Sequence, residues 1–291
     1  MFTLIQIELY KIFNRPRTYI AFIAIAALTI IVQLGLKVDG KEYADFVMAD
    51  LKNTFSIDGK IINGYFVCYV LLQLLLVHVP LLIALIAADM ISGEANIGTL
   101  RLLLTKPISR VQFIIAKFIA TCIYTVALLI WLAILGLLLS IFIFGTGDLL
   151  LLKNNYVVQL QQNDIFWRYT GAFLFAAIAM ITVAAVGFFL SLFAENSIGP
   201  IVATMSIIIV CTILSTMSLP LFNLIKPYLF TTHLVTWKEF FDIKINNQNE
   251  TIAGSIQNPA KIINSLTVLI AHIIILISIT IFIFKKKDIL S

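Results

Sequence analysis

Six runs of apolar residues, each long enough to cross a lipid bilayer, fix what this chain can fold into. They lie at Thr18–Leu36, Gly64–Ala88, Phe113–Phe144, Tyr169–Phe193, Ile198–Leu219 and Leu266–Phe284. A spanning helix needs about 20 apolar residues. It must be a helix, because hydrocarbon offers no water to bond the backbone polar groups. The expected fold is therefore all-α, a polytopic membrane protein with six transmembrane helices in a single domain over residues 1–291. Composition agrees: 61% of residues are hydrophobic and 12% charged, against about 25% charged in soluble domains. The third run is too long for one bilayer unless it tilts or projects. Only Ala194–Ser197 separates the fourth and fifth, which predicts a tight helical hairpin. The first run follows Lys11, Arg15 and Arg17, as a signal peptide would, but it is longer than a signal core and has an amphipathic stretch before it. It reads as an uncleaved span.

The formal charge of +5 is topogenic rather than a sign of nucleic-acid binding, since no basic tract with interleaved aromatics stands outside the runs. Six spans put both termini on one side, together with the 89–112 loop and Ala194–Ser197. That side gathers ten of the twenty basic residues. They crowd the span ends at Arg15 and Arg17, at Arg110 and Lys117, and at Lys285, Lys286 and Lys287. Basic residues close to spans mark the cytoplasmic face, so both termini are expected in the cytoplasm, with the chain in an inner or plasma membrane. Arg15, Arg17 and Lys285–Lys287 are the residues expected to meet the membrane interface. Cys68, Cys122 and Cys211 fall inside apolar runs and behave as small apolar residues.

Met1–Asn14 is too polar to span. At 100° per residue Phe2, Ile5, Leu9, Ile12 and Phe13 share a stripe, with Glu8 and Lys11 off it and Leu4 and Ile7 breaking the pattern. This is the pattern of a helix lying in the interface; the alternative is a frayed leader. Pro16 disfavours helix at Arg15 and ends the element.

The loop between the second and third runs is the most specific segment. Gly93 and Gly98 allow sharp turns. Leu100, Leu103 and Leu104 make an i, i+3, i+4 face, with Arg101 and Thr105 off it, which predicts a short helix from Gly98 to Leu104. Pro107 stops it, and Ser109 with Gln112 forms a capping box for the third span. Such a helix fits a groove on a partner protein, or is an ordinary solvated loop. Glu94 and Arg101 can pair with each other or with a partner.

The amphipathic N-terminus, the six spans and the string Glu94-x-x-x-Gly98-Thr99, with Leu103, Pro107, Ser109-Arg110 and Lys117, resemble the permease subunits of ABC-2-type transporters. The ending Phe284-Lys285-Lys286-Lys287-Asp288-Ile289 is similar to the aromatic, basic, Asp ending common there. The resemblance covers the whole chain in architecture, and its sharp part is about twenty residues. It implies that residues 1–17 are an elbow helix and that 89–112 is a coupling loop docking on a separate ABC ATPase. The docking element would be Glu94, Gly98, Thr99, Leu100, Arg101, Leu103, Leu104, Pro107 and Arg110. A second permease copy, or a sister permease, would complete the membrane unit. ATP and Mg would sit on the ATPase, with no cofactor and no metal on this chain. Export or flipping of a substrate, an amphiphile being favoured, would be the activity.

Absences bear on the rival readings. No phosphate-binding P-loop string occurs, so ATP-driven work needs another polypeptide, and this chain is not expected to be an enzyme. No Asp, Glu, Lys or Arg lies near the middle of a span and no internal repeat stands out, against an ion-coupled carrier. His78 and His272 either line a pathway or bond neighbouring helices. Gln33 and Gln73 read as interhelical hydrogen-bonding groups, and Pro80 as a kink. A helix with Tyr43, Phe46, Val47 and Leu51 on one side is expected on the opposite face. There, the longest extracytoplasmic loop, 220–265, either caps the membrane unit or lies on the bilayer. The alternative function is a non-transporting scaffold that docks a cytoplasmic partner through the same loop.

Overall fold

The computed structural model describes residues 1–40, 42, 62–99, 109–153, 156–244 and 252–287. Among them six helices are long and apolar enough to cross a membrane, and the chain is an all-α polytopic membrane protein in architecture. Helix α1 (Phe2–Phe13) precedes the first span, α2 (Pro16–Val38). Pro16 sits at the start of α2, where its missing N–H costs nothing. The second span is α3 (Gly64–Ala87), followed by a short helix α4 (Ser92–Ile97). The third is α5 (Arg110–Ala133), a π-helical turn (Ile134–Leu138) and α6 (Leu139–Phe144). Spans four to six are α7 (Gln162–Leu190), α8 (Ile198–Thr216) and, after the short α9 (Phe230–Leu234), α10 (Pro259–Lys286).

The spans fall where hydropathy places them, but α7 begins at Gln162 rather than Tyr169 and α10 at Pro259 rather than Leu266. Hydropathy reads where lipid ends, whereas a helix runs on until a cap or proline stops it. The Ser109 hydroxyl accepts the Gln112 N–H at 3.1 Å, as the capping-box spacing requires. Pro80 lies inside a helix that continues through it. The long third span carries its π turn where the Leu135 carbonyl accepts the Gln33 amide at 2.8 Å; the same amide donates to Ser140 Oγ at 2.9 Å. Gln33 is thus an interhelical bond. Gln73 makes none among the described residues and is exposed.

Spans two and four form the centre. In their most apolar windows 56% and 61% of residues are buried, against 17% and 11% for spans five and six. The outer spans present Ile207, Ile209, Ile274 and Ile275 outward, the surface that hydrocarbon covers.

At the end of the bundle away from the termini, β1 (Leu149–Lys153) pairs antiparallel with β2 (Tyr156–Leu160), Leu149 facing Leu160 and Leu151 facing Val158. The run of leucines gave no period-2 signal, so this hairpin was not expected. After α8, 3-10 turns at Pro220–Leu224 and Lys226–Tyr228 lead into α9 and a 3-10 turn at Thr236–Phe241. Trp237 and Phe241 are buried against Tyr69, at ring separations of 5.5 and 5.3 Å, and Phe241 packs on Tyr169 at 4.8 Å. Arg168 is fully buried; it grips Asp164 at 2.6 Å and donates to the carbonyls of Phe240 and Ser255 at 2.7 and 2.8 Å. This loop therefore caps the bundle instead of lying beside it. The expected helix bearing Tyr43, Phe46, Val47 and Leu51 lies outside the described residues.

Candidate functional site

Both termini meet the segment between spans two and three at one end of the bundle, around a second apolar core. Ile12 of α1, Ile86 of α3, Met90, Phe113 and Ile114 of α5, Phe188 of α7 and Phe284 of α10 are all buried there. This core sets the position of a cluster of charges.

Helix α1 turns Glu8 and Ile12 inward and leaves Phe2, Ile7 and Tyr10 exposed. The apolar stripe is thus divided: Ile12 faces the protein and Phe2 faces out. Glu8, off the stripe by periodicity, points into the molecule. An apolar outer face is what a helix lying in the membrane interface requires. The inward carboxylate meets a buried lysine. Lys117 Nζ, on α5, contacts Glu8 Oε2 at 2.7 Å and Glu94 Oε1 at 2.8 Å. Lys11 Nζ contacts Glu8 Oε1 and Glu94 Oε1, both at 2.7 Å. Two carboxylates and two ammonium groups thus close a ring across three elements. Lys117 is only 1% exposed and lies 4.9 Å from the Phe113 ring centroid. Burial alone would lower the pKa of Lys11, but its hydrogen bonds and charge attraction to Glu8 and Glu94 outweigh this and raise it above 10.5.

A second group adjoins the ring. Arg15 donates to Asp89 Oδ2 at 2.6 Å, and Arg17 pairs with the same oxygen. Gly93 lies against the Asp89 carboxylate so closely that a Cβ there would collide with it. Both groups border one cleft, and Glu94 Oε2 and Asp89 Oδ1 have no hydrogen-bond partner among the described residues. Gly98 ends α4 in the left-handed conformation, φ 76°, which suits glycine. Thr99 is again helical and its hydroxyl donates to the Glu94 carbonyl at 3.3 Å.

The predicted site residues separate accordingly. Leu100, Arg101, Leu103, Leu104 and Pro107 lie outside the described residues. Gly98 closes α4, a helix that the sequence reading did not place. Glu94 is 4% exposed and is committed to Lys11 and Lys117, so it ties the segment to its own chain. Arg110 donates to the carbonyls of Phe284, Lys285 and Lys287 at 3.3, 3.1 and 2.8 Å, capping the last span where unpaired carbonyls collect. Lys287 donates to the Leu192 carbonyl at 2.7 Å, and Lys286 lies 4.3 Å from the Phe282 ring centroid. Of the residues expected at the membrane interface, Arg15, Arg17 and Lys287 thus also bond within the protein. The rings of His78 and His272 each bond the carbonyl four residues before, at 2.8 Å. Sequence reasoning missed Glu8, Asp89 and Lys117 as a group. The available signal was a lysine inside an apolar run, which demands a buried partner.

The family described as "Protein of unknown function (DUF2705)" matches residues 26–290. A further likeness is to "Uncharacterized protein YhcI" of Bacillus subtilis (strain 168), 30% identical over 119 residues, which are 39% of this chain and 37% of that protein.

Proposed function

We propose that this chain, which belongs to the DUF2705 family, is the membrane-spanning permease subunit of an ATP-driven exporter of the ABC-2 type. On this reading a separate ATPase supplies the energy and holds ATP and Mg, and a second permease completes the membrane unit. The termini face the cytoplasm of a cell bounded by the membrane in which the chain sits.

The observation that carries the reading is the ring of Glu8, Lys11, Glu94 and Lys117. It makes α1, the start of the segment between spans two and three, and the start of span three one mechanical unit. A force on that segment is delivered to α1 and α5 through Glu94 instead of being lost in a loose loop. This is what a subunit needs if a soluble partner drives it. The membrane helices then move as rigid bodies, and this chain performs no chemistry itself. Glu94 acts in this scheme as the tether behind the docking surface, with the contact made by the segment that follows Gly98.

The test is purification of the tagged full chain from its native membrane in mild detergent. A stoichiometric soluble ATPase is expected, lost in a Leu103→Asp variant that still purifies as a folded species. Recovery with a partner lacking a nucleotide site, from a complex shown to survive the detergent, would establish the scaffold instead.

A further inference from the structure

A second cleft lies far from the ionic ring, where α3, α8 and the α9 segment meet on the side away from the termini. Its floor is apolar: Leu76 and Pro80 of α3 and Ile208 of α8 are buried. Its rim is polar. Gln73 and Lys238 line it, with Thr212 and Thr231.

Three features of the rim lack a structural explanation. Thr231 is 4% exposed, and its hydroxyl has no hydrogen-bond partner among the described residues, a costly state for a buried polar group. Gln73 sits exposed on a spanning helix, about 13 Å along the axis from Gly64 at 1.5 Å per residue, and makes no hydrogen bond among the described residues. Lys238 is half-buried beside Trp237, with its Nζ 5.9 Å from the ring centroid, and makes no ion pair among the described residues. The neighbouring acid Glu239 is taken by Lys261 at 2.6 Å. Burial pushes the Lys238 pKa down. A cation, an amide and a hydroxyl thus converge, with no hydrogen-bond or ion-pair partner among the described residues, over an apolar trough that opens between spanning helices.

We propose that this cleft binds an amphiphile with an anionic headgroup, the headgroup on Lys238 with Gln73 and Thr231, and the chain along Val77 and Pro80. A phosphate or carboxylate supplies the acceptors that an ammonium and an amide seek, and an acyl chain covers the exposed side of α3. The proposal names a substrate class for the exporter and rests on that reading for the purpose of the site, not for its chemistry.

The experiment uses the purified full chain in nanodiscs without nucleotide or partner, so its failure is separate from failure to recover an ATPase. The probe is phosphatidic acid with a diazirine in the acyl chain, compared with the same lipid bearing phosphocholine. Labelling of α3 around Val77 and Pro80 by the anionic probe is expected. It should fall about tenfold in Lys238→Gln, the loss of one charge-assisted hydrogen bond, and also fall in Thr231→Val. It should be unchanged in Lys244→Gln, an exposed lysine nearby. Dodecyl phosphate should compete and inorganic phosphate should not. Equal labelling by the phosphocholine probe, no response to Lys238→Gln in a monodisperse preparation, or equal competition by inorganic phosphate would each overturn the proposal. So would absence of labelling because a second copy covers the cleft.

Discussion

Replacing Lys117 with Met tests the ionic ring directly. The substitution keeps the unbranched stem and removes one ammonium that is 1% exposed and holds Glu8 and Glu94 at 2.7 and 2.8 Å. Removing one partner of a buried ion pair costs about 3–5 kcal/mol, because the other charge stays buried without compensation. Two carboxylates would then share Lys11 alone, whose side chain is 30% exposed. That residual attraction is partly screened and brings the expected cost to the lower end, about 3 kcal/mol. The effect is local: α1 and α4 should detach before the spans unfold. Backbone amide exchange in α1 and in Ser92–Ile97, followed by mass spectrometry in detergent, should accelerate about a hundredfold, since about 1.4 kcal/mol is a factor of ten. Exchange in α7 should stay as it was. Adding Glu8→Gln to Lys117→Met should restore part of the protection, because it removes the stranded charge. Unchanged α1 exchange in the single variant would refute the reasoning, for it would mean that water and Lys11 satisfy both carboxylates.

Three further outcomes follow from the same geometry. Gly93→Ala should displace the Asp89 carboxylate, since a Cβ collides with it; the cost is about 1–3 kcal/mol, read as a lowered thermal midpoint, and Gly199→Ala serves as the neutral comparison. Arg168→Met strands Asp164 and frees the carbonyls of Phe240 and Ser255, so limited proteolysis should cut within residues 220–258 at concentrations that leave the parent chain intact. Lys11 has a folded pKa raised above 10.5, so its contribution is fully present below 10.5 and is lost as pH rises through the folded value. Protection of α1 amides, corrected for intrinsic exchange, should therefore hold through neutral and mildly alkaline pH and decline only above about pH 10.5, and Lys11→Met should abolish that dependence.

Residues distant in sequence explain why the ring was not legible. Lys117 was assigned to the edge of a span and Glu8 to the solvent side of an amphipathic helix. Each assignment follows from its own neighbours. That the two meet depends on the angle at which α1 folds back over α5, which local periodicity does not encode. Arg168 shows the same limit. It immediately precedes the fourth apolar run in sequence, yet it lies at the centre of the cap, because the loop after span five folds back over it. In contrast, the Ser109 cap was readable because it is local, whereas of the two amides inside apolar runs Gln33 bonds across helices and Gln73 makes no such bond among the described residues, since which face of a span meets a neighbour is set by packing.

The sequence by itself determined six helices long and apolar enough to span a membrane, and their approximate ends. These depend on the transfer of apolar surface and backbone bonding within each helix, terms that add up along the chain. Only the tertiary structure decided that Glu94 is bound to Lys11 and Lys117, that Arg110 caps the last span, and that Lys238 lines an open trough with no acid paired to it among the described residues. Those facts depend on which charges are brought within about 3 Å of each other out of water. At that range a neighbour placed by the fold outweighs anything that the adjacent residues specify.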